Sequence, residues 1–112
     1  MEMTIEKVGE VAVVELRGEQ LDASNVMHFK RDIAPVLDVN SRVVFDLSEL
    51  RFIDSSGLGA ILSCLRRLNG AGGELKLSGL SKPVRALFEL VRMHKIFDIY
   101  TTRDEAVRSL QT

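Results

Sequence analysis

Residues 51–59 read Arg-Phe-Ile-Asp-Ser-Ser-Gly-Leu-Gly, and this stretch decides how the rest of the sequence is interpreted. It follows residues 43–47, a largely apolar run typical of a buried strand, and it precedes apolar positions with helical spacing. Asp54, Ser55 and Ser56 therefore lie where a loop enters a helix, and the unpaired backbone N–H groups there favour a negative group. A hydroxyl at such a position can be a helix cap, a catalytic nucleophile or a phosphorylation site.

Strand and helix patterns alternate on both sides of this stretch. Strands are expected at residues 3–8, 11–17, 42–47, 74–78 and 97–100. Helices are expected to start near residues 22–24, 55, 81 and 102. Such alternation gives a mostly parallel sheet, and the first two strands, joined at Gly9 and Glu10, add an antiparallel edge. The fold class is therefore α/β: one domain over residues 1–112, with a mixed, mostly parallel sheet of about four to five strands and about four helices.

The spacing of apolar residues also predicts which helix positions are buried. One side of each helix carries apolar residues three or four positions apart, which is the period of an amphipathic helix. Pro35 should kink or end the first helix, because proline removes a backbone donor and crowds the carbonyl of Arg31. The expected buried positions are Val26, Phe29, Ile33, Leu37, Leu58, Ile61, Leu62, Leu65, Leu68, Val84, Leu87, Phe88, Val91, Ala106, Val107 and Leu110.

Two of the expected helix starts carry capping signals. Asp22 or Ser24 can cap the first helix, because a short polar side chain can accept a hydrogen bond from an unpaired N–H group of the first turn. Thr102 and Glu105 have the spacing of a capping box, in which each side chain accepts a hydrogen bond from the other residue's backbone. A short terminal helix is therefore expected after Thr102.

The composition is that of a soluble globular protein. The 112 residues are 46% hydrophobic and 28% charged, and the net charge of −1 provides no field that would attract nucleic acid or an anionic membrane. No apolar run approaches the roughly 18 residues of a membrane span, and the N-terminus lacks the apolar segment of a signal peptide. We therefore expect a cytoplasmic protein with no direct nucleic-acid or membrane partner.

Neither a metal nor a cofactor is expected. The single Cys64 excludes an internal disulfide and a multi-cysteine metal site. Asp22, Asp46 and Asp54 offer a conceivable magnesium site at strand ends, but nothing in their spacing requires one. Capping and loop roles explain these aspartates better.

The residues that an enzyme would need are mostly missing. A serine nucleophile requires a base within hydrogen-bond reach, yet His28 and His94 both lie in helical segments away from the Ser55 loop. The G-x-S-x-G pattern of esterases is absent around Ser55. Gly57 and Gly59 lack the Lys-Ser/Thr pair of a phosphate-binding loop and the third glycine of a dinucleotide fingerprint. The sequence therefore predicts that the protein is not an enzyme.

One face of the second helix has the character of a binding surface. If the apolar positions of this helix face the sheet, another face carries Ser56, Gly59, Ala60, Ser63 and Arg67. Solvent-exposed helix faces usually carry long charged side chains, whereas this face is small and smooth at its N-terminal end. Small side chains let a partner helix or loop approach closely, and arginine at the rim can anchor it. These five residues are predicted to bind a partner.

Residues 43–59, which end in Asp-Ser-Ser-Gly-Leu-Gly, resemble the signature of the STAS-domain family. More narrowly, the chain is similar to stand-alone bacterial anti-sigma factor antagonists. The resemblance covers nearly the whole chain, including the turn at residues 18–22, the strand entry at residues 72–75, the helix at residues 84–88 and the closing helix. The Asp-Ser-Ser-Gly run alone is a weak signal, but in this order and at these spacings it is strong.

The resemblance implies a phosphorylation-controlled partner switch. The unmodified antagonist binds an anti-sigma factor, often a serine kinase with a histidine-kinase-like ATPase fold, and so frees a sigma factor. The kinase phosphorylates the first serine of the motif, which is Ser55 here, and a serine phosphatase reverses the change. Asp54, Ser56, Gly57 and the turn around Asp22 would form the binding surface.

One departure from the family pattern bears on the choice of partner. Many relatives read Gly-Glu-Leu-Asp in the turn, whereas this chain has Gly18-Glu19-Gln20-Leu21-Asp22, one residue longer. Related antagonists also control secretion or motility rather than a sigma factor. The competing interpretation is a scaffolding or small-ligand-binding STAS module that is not phosphorylated; the intact Ser55 favours the switch.

Overall fold

The computed structural model describes residues 1–111 and shows a five-stranded mixed sheet with helices on both faces. Strands β1 to β7 span Glu2–Val8, Val11–Arg17, Gln20–Leu21, Arg42–Asp46, Phe52–Ile53, Glu74–Ser78 and Asp98–Tyr100. Helices α1 to α4 span Val26–Val39, Ser55–Gly70, Lys82–Leu90 and Arg103–Leu110, and a short 3-10 turn covers Met93–Lys95. The predicted α/β class and the number of main-sheet strands and helices are confirmed.

The sheet order is β1-β2-β4-β6-β7, with β1 antiparallel to β2 and the other neighbours parallel. The predicted antiparallel edge is therefore confirmed. Val14, Phe45 and Leu77 are neighbours across β2, β4 and β6, and they face the core under α1, α2 and α3. Because strand side chains alternate, Val13 and Val44 face the opposite side, which α4 covers.

The apolar residues of α1 and α4 that were predicted to be buried are buried. Phe29 of α1 is fully buried and meets Phe45 edge to face, with the ring centroids 6.1 Å apart. On the other face, Ala106, Val107 and Leu110 of α4 pack against Val11, Val13 and Val44. Thr102 and Glu105 form the predicted capping box at the start of α4.

Pro35 does not end α1, so one of the two outcomes predicted for it, an early end, is wrong. The helix continues from Val26 through Pro35 to Val39. Pro35 and Arg31 are both exposed, so this side of the helix, where the Arg31 carbonyl loses its N–H partner, is in contact with water.

The predicted buried faces of α2 and α3 were partly wrong. Leu62 is only half-buried, because the face of α2 that meets the sheet and α1 is turned toward Gly57, Ala60 and Cys64. Val91 is 47% exposed, because α3 ends at Leu90. Leu87 is likewise only half-buried.

Two very short strands position the loop that precedes α2. Gln20 pairs with Phe52 and Leu21 pairs with Ile53, in a parallel two-stranded sheet separate from the main one. This pairing fastens the 18–22 turn to the segment that leads into Ser55. Within residues 1–111, no helix is long and apolar enough to cross a membrane.

Candidate functional site

Asp54 is the centre of the site. Its Oδ1 accepts hydrogen bonds from the Gly57 N–H at 3.0 Å and from the Ser56 hydroxyl at 2.9 Å. Its Oδ2 accepts the N–H of Ala23, from the loop before α1, at 3.0 Å. One carboxylate therefore caps α2 and fastens a second loop to it.

These donors stabilise the ionised form of Asp54. The Gly57 N–H makes the largest contribution to lowering the pKa of Asp54, and the Ala23 N–H and the Ser56 hydroxyl add to it against the opposing effect of desolvation. Asp54 is therefore a carboxylate at neutral pH, with both oxygens already engaged.

Gly57 lets α2 start directly against β3. A Cβ atom at this position would lie 2.4 Å from the carbonyl oxygen of Leu21 and 2.7 Å from Cγ1 of Ile53. No other residue can provide this approach without moving the backbone of β3. The glycine of Asp-Ser-Ser-Gly is therefore required by packing as well as by the motif.

The two serines of the motif have different surroundings. Ser55 is exposed at the first position of α2, and its hydroxyl forms no hydrogen bond within residues 1–111. Ser56 is half-buried, and its hydroxyl donates to Asp54. Ser55 is thus the hydroxyl that an incoming protein can reach, while Ser56 belongs to the cap.

Neither Asp22 nor Ser24 caps α1, contrary to the prediction. Oδ1 of Asp22 accepts hydrogen bonds from the Ser24 N–H and hydroxyl in a turn that precedes the helix, which starts at Val26. Asn25 occupies the N-cap position; its side chain accepts the Asp22 N–H at 2.9 Å and donates to the Gln20 carbonyl at 2.9 Å. Asp22 therefore shapes the loop that Asp54 holds through Ala23.

Two of the residues predicted to lie on the binding surface, Gly57 and Ala60, are buried instead. Gly59, Ser63 and Arg67 are exposed along α2, as predicted. Ala60 is 1% exposed, because the rotation of about 100° per residue along a helix turns it toward α1. Ala60 was therefore wrongly placed on the exposed face.

The structure gives partners to two residues of this surface. Ser63 donates its hydroxyl to the Gly59 carbonyl, and Arg67 forms an ion pair with Asp38 of α1. Gly59 itself has open space around its missing Cβ. Glycine is therefore not required there for packing within the chain.

The conceivable magnesium trio does not come together. Asp46 lies on the α4 side of the sheet, where Arg103 forms an ion pair with it at 3.3 Å, while Asp22 and Asp54 lie in the loops before α1 and α2. No group of three potential metal ligands occurs within residues 1–111.

Sequence reasoning missed two exposed apolar side chains, one beside the motif and one at the start of α1. Phe52 is 54% exposed because it alternates with the buried Ile53 in β5. Met27 is 69% exposed in the first turn of α1. The signal available in the sequence was a phenylalanine two residues before Asp54, for which no role was predicted.

Residues 2–106 match the STAS domain. The chain belongs to the STAS-domain family. This STAS domain is 34% identical over 103 residues to the anti-sigma F factor antagonist of Paenibacillus polymyxa, covering 90% of this chain and 87% of that protein.

Solved structures share the fold of this STAS domain. An anti-sigma factor antagonist from Mycobacterium paratuberculosis has a TM-score of 0.89 at 23% identity, over 99% of this chain and 94% of that one. The phosphorylated form of the Bacillus cell fate determinant SpoIIAA has a TM-score of 0.73 at 24% identity, over 98% of this chain and 100% of that one. At these identities the likeness is one of fold.

Proposed function

We propose that this STAS domain is an anti-sigma factor antagonist whose binding is switched by phosphorylation of Ser55. The antagonist role is supported by the relative from Paenibacillus polymyxa, whose name states it. The observation that carries the switch is the contrast between the two serines, since Ser55 is exposed and Ser56 donates to Asp54. The protein acts as a binding regulator and performs no chemistry itself.

The site tolerates a phosphate on Ser55 without unfolding. A phosphoserine adds about −1.5 to −2 charges, and the first turn of a helix favours negative charge. Asp54 is half-buried and keeps its own three donors, so the new group does not compete for them. The phosphate therefore changes the surface while the fold beneath it stays the same.

The proposed partners are those of a partner-switching circuit. The unphosphorylated surface binds an anti-sigma factor that is also a serine kinase with a histidine-kinase-like ATPase fold, and a serine phosphatase restores Ser55. Asp22, Asp54 and Ser56 shape the loops of this surface, and Gly59, Ser63 and Arg67 extend it along α2. Gly57 acts from beneath, by letting α2 approach β3.

Affinity capture with two forms of the protein tests this function. Ser55→Ala keeps an uncharged surface and Ser55→Asp adds a permanent charge, so proteins bound only by the first are candidates for the switched partner. The candidate is identified by mass spectrometry, purified and incubated with the wild-type protein and ATP, and the phosphosite is mapped. A partner that binds both variants equally, or phosphate found only on Ser56, would contradict the proposal.

A further inference from the structure

A cleft of about 270 Å³ lies between α1 and α2. Its floor is formed by Ile33 and Leu37 of α1 and by Ala60 and Cys64 of α2, all of them buried. Each pair is four residues apart on its helix, so each helix contributes side chains from two successive turns, and the four together form an apolar depression between the helices. One apolar side chain of a partner that packs across the two helices could occupy this depression.

The chain does not fill this cleft itself. Ala60 carries only a methyl group, and Ser63 donates its hydroxyl back to the Gly59 carbonyl at 3.0 Å. Burial raises the pKa of the Cys64 thiol to about 12, so this part of the floor is neutral. The floor is therefore suited to an apolar side chain.

The rim of the cleft is cationic. Lys30 and Arg67 line it, and both are near enough to Cys64 for their charges to oppose the rise in its pKa. Arg67 forms an ion pair with Asp38, whereas Lys30 forms no ion pair within residues 1–111. A carboxylate beside the apolar group would complement this rim.

The cleft lies on the same row of α2 as the proposed switch. Ser55, Gly59, Ser63 and Arg67 follow one another at intervals of four residues, and a rise of 1.5 Å per residue places Arg67 about 18 Å from Ser55. Gly59 and Ser63 stand between them with no bulky side chain, and the space beside Gly59 is open. Each step of four residues also turns about 40° around α2, so the row is an inclined ridge, and a partner helix that packs along it crosses α2 at an angle.

We propose that the switched partner docks a helix along this row, with one apolar side chain in the cleft and a carboxylate beside Lys30. The inference rests on the proposed function and adds the chemistry of the partner's contact. It assigns α1 a part in binding through Lys30, Ile33 and Leu37, which lie outside the Asp-Ser-Ser-Gly motif.

Two variants and one control test the docking against the purified partner by calorimetry. Ala60→Leu fills the cleft and Lys30→Glu reverses the charge of the rim. Each should weaken binding about tenfold or more, whereas Lys95→Glu, an exposed cation on the 3-10 turn, should change affinity less than about twofold. Circular dichroism and melting curves check that Ala60→Leu folds. If it does not fold, the docking is tested by Lys30→Glu and by cross-linking of Lys30.

A zero-length carbodiimide cross-link tests the carboxylate directly. The reagent joins the Lys30 amine to a carboxylate in contact with it as an amide. Mass spectrometry should find Lys30 joined to an Asp or Glu that has an apolar residue three or four positions away, the spacing of one helix face. A complex in which Lys30 is not cross-linked while other lysines are would overturn the docking.

The outcomes separate this inference from the switch. Normal binding by both Ala60→Leu and Lys30→Glu, together with weak binding by Ser55→Asp, would overturn the docking and leave the proposed function intact. Weak binding by both cleft variants, together with equal binding by the Ser55 variants, would support the docking and overturn the switch.

Discussion

Asp54 and Ala23 are joined by a hydrogen bond of 3.0 Å, from the Ala23 backbone N–H to Oδ2 of the carboxylate. The two residues are far apart in sequence, and the bond ties the start of α2 to the loop before α1. The same carboxylate caps α2 through the Gly57 N–H. The geometry of the loop around Asp22 therefore depends on the charge state of one residue in the motif.

Asp54→Asn should lower the melting temperature at neutral pH, because a carboxamide offers one acceptor oxygen where the carboxylate offers two. The pKa of Asp54 is lowered in the folded protein from its ordinary value of 3.8, so the ionised form stabilises the fold. This stabilisation is present above the ordinary pKa and is lost as the pH falls through the lower, folded value. The difference in melting temperature should therefore shrink in acid.

Glu10→Gln serves as the control for this experiment, since Glu10 is exposed in the β1–β2 turn and forms no ion pair within residues 1–111. Its melting temperature should follow that of the wild type at every pH. A difference between Asp54→Asn and the wild type that stays constant from neutral pH to strong acid would show that the carboxylate charge is not the cause.

Gly57→Ala and Gly59→Ala should have opposite effects on stability. A Cβ atom at Gly57 meets the Leu21 carbonyl oxygen at 2.4 Å, so the variant should lose about 1–3 kcal/mol as the backbone shifts. Gly59 has open space, and alanine there should gain about 0.5–1 kcal/mol because it is the better helix former. Urea denaturation measures both, and equal effects at the two sites would contradict the packing described here.

Gly59→Ala should also weaken partner binding although it stabilises the fold. The proposed surface along α2 relies on close approach at Gly59, and an added methyl group keeps a partner helix away. Calorimetry against the purified partner should show lower affinity for this variant, together with a higher melting temperature. Unchanged affinity would remove Gly59 from the proposed interface.

The fold was predictable because its main elements are long and strongly patterned. Strands such as Val11–Arg17 and Arg42–Asp46 are apolar enough to indicate burial on both faces, and α1 carries its apolar residues at regular helical spacing. The pair β3 and β5 could not be predicted, because two residues are too few to show a period. The continuation of α1 past Pro35 could not be predicted, because the cost of the lost hydrogen bond depends on whether water can reach the freed carbonyl group.

The part of the site that lies in the Asp-Ser-Ser-Gly motif could be predicted from the sequence. Asp54 as a cap and Ser55 as an exposed hydroxyl follow from a loop entering a helix. The burial of Ala60 depends on the packing of α2 against α1, and a methyl side chain gives no signal of which way it faces. The cleft beside Lys30 is likewise a property of two helices together.

Ile61→Ala should destabilise the protein more than Leu62→Ala, although both residues are large and apolar. Ile61 is fully buried, and its truncation should cost about 2–5 kcal/mol. Leu62 is half-buried, so less apolar surface and a smaller cavity are involved, and its loss should be less than half as large. Urea denaturation compares the two, and equal losses would mean that the buried face of α2 is centred on Leu62.

Phosphorylation of Ser55 should strongly weaken partner binding while the domain stays folded. With an effective dielectric constant near 20, one unfavourable contact between unit charges at 4 Å costs about 4 kcal/mol. Each 1.4 kcal/mol is about tenfold in affinity, so even a screened fraction of this energy weakens binding about 100-fold. Ser55→Ala should therefore bind like the unmodified protein, and Ser55→Asp or Ser55→Glu should bind poorly.

Ser56→Ala is the matched comparison, because it removes a neighbouring hydroxyl and leaves Ser55 in place. This variant loses the hydrogen bond to Asp54, so it should melt at a lower temperature, yet it should still accept phosphate from the kinase. Ser55→Ala should show the reverse, with an unchanged melting temperature and no phosphate, since its hydroxyl has no partner within residues 1–111. Calorimetry, melting curves and phosphosite mapping together test this contrast. If Ser55→Ala still accepted phosphate on Ser56, the assignment of the switch to Ser55 would be wrong.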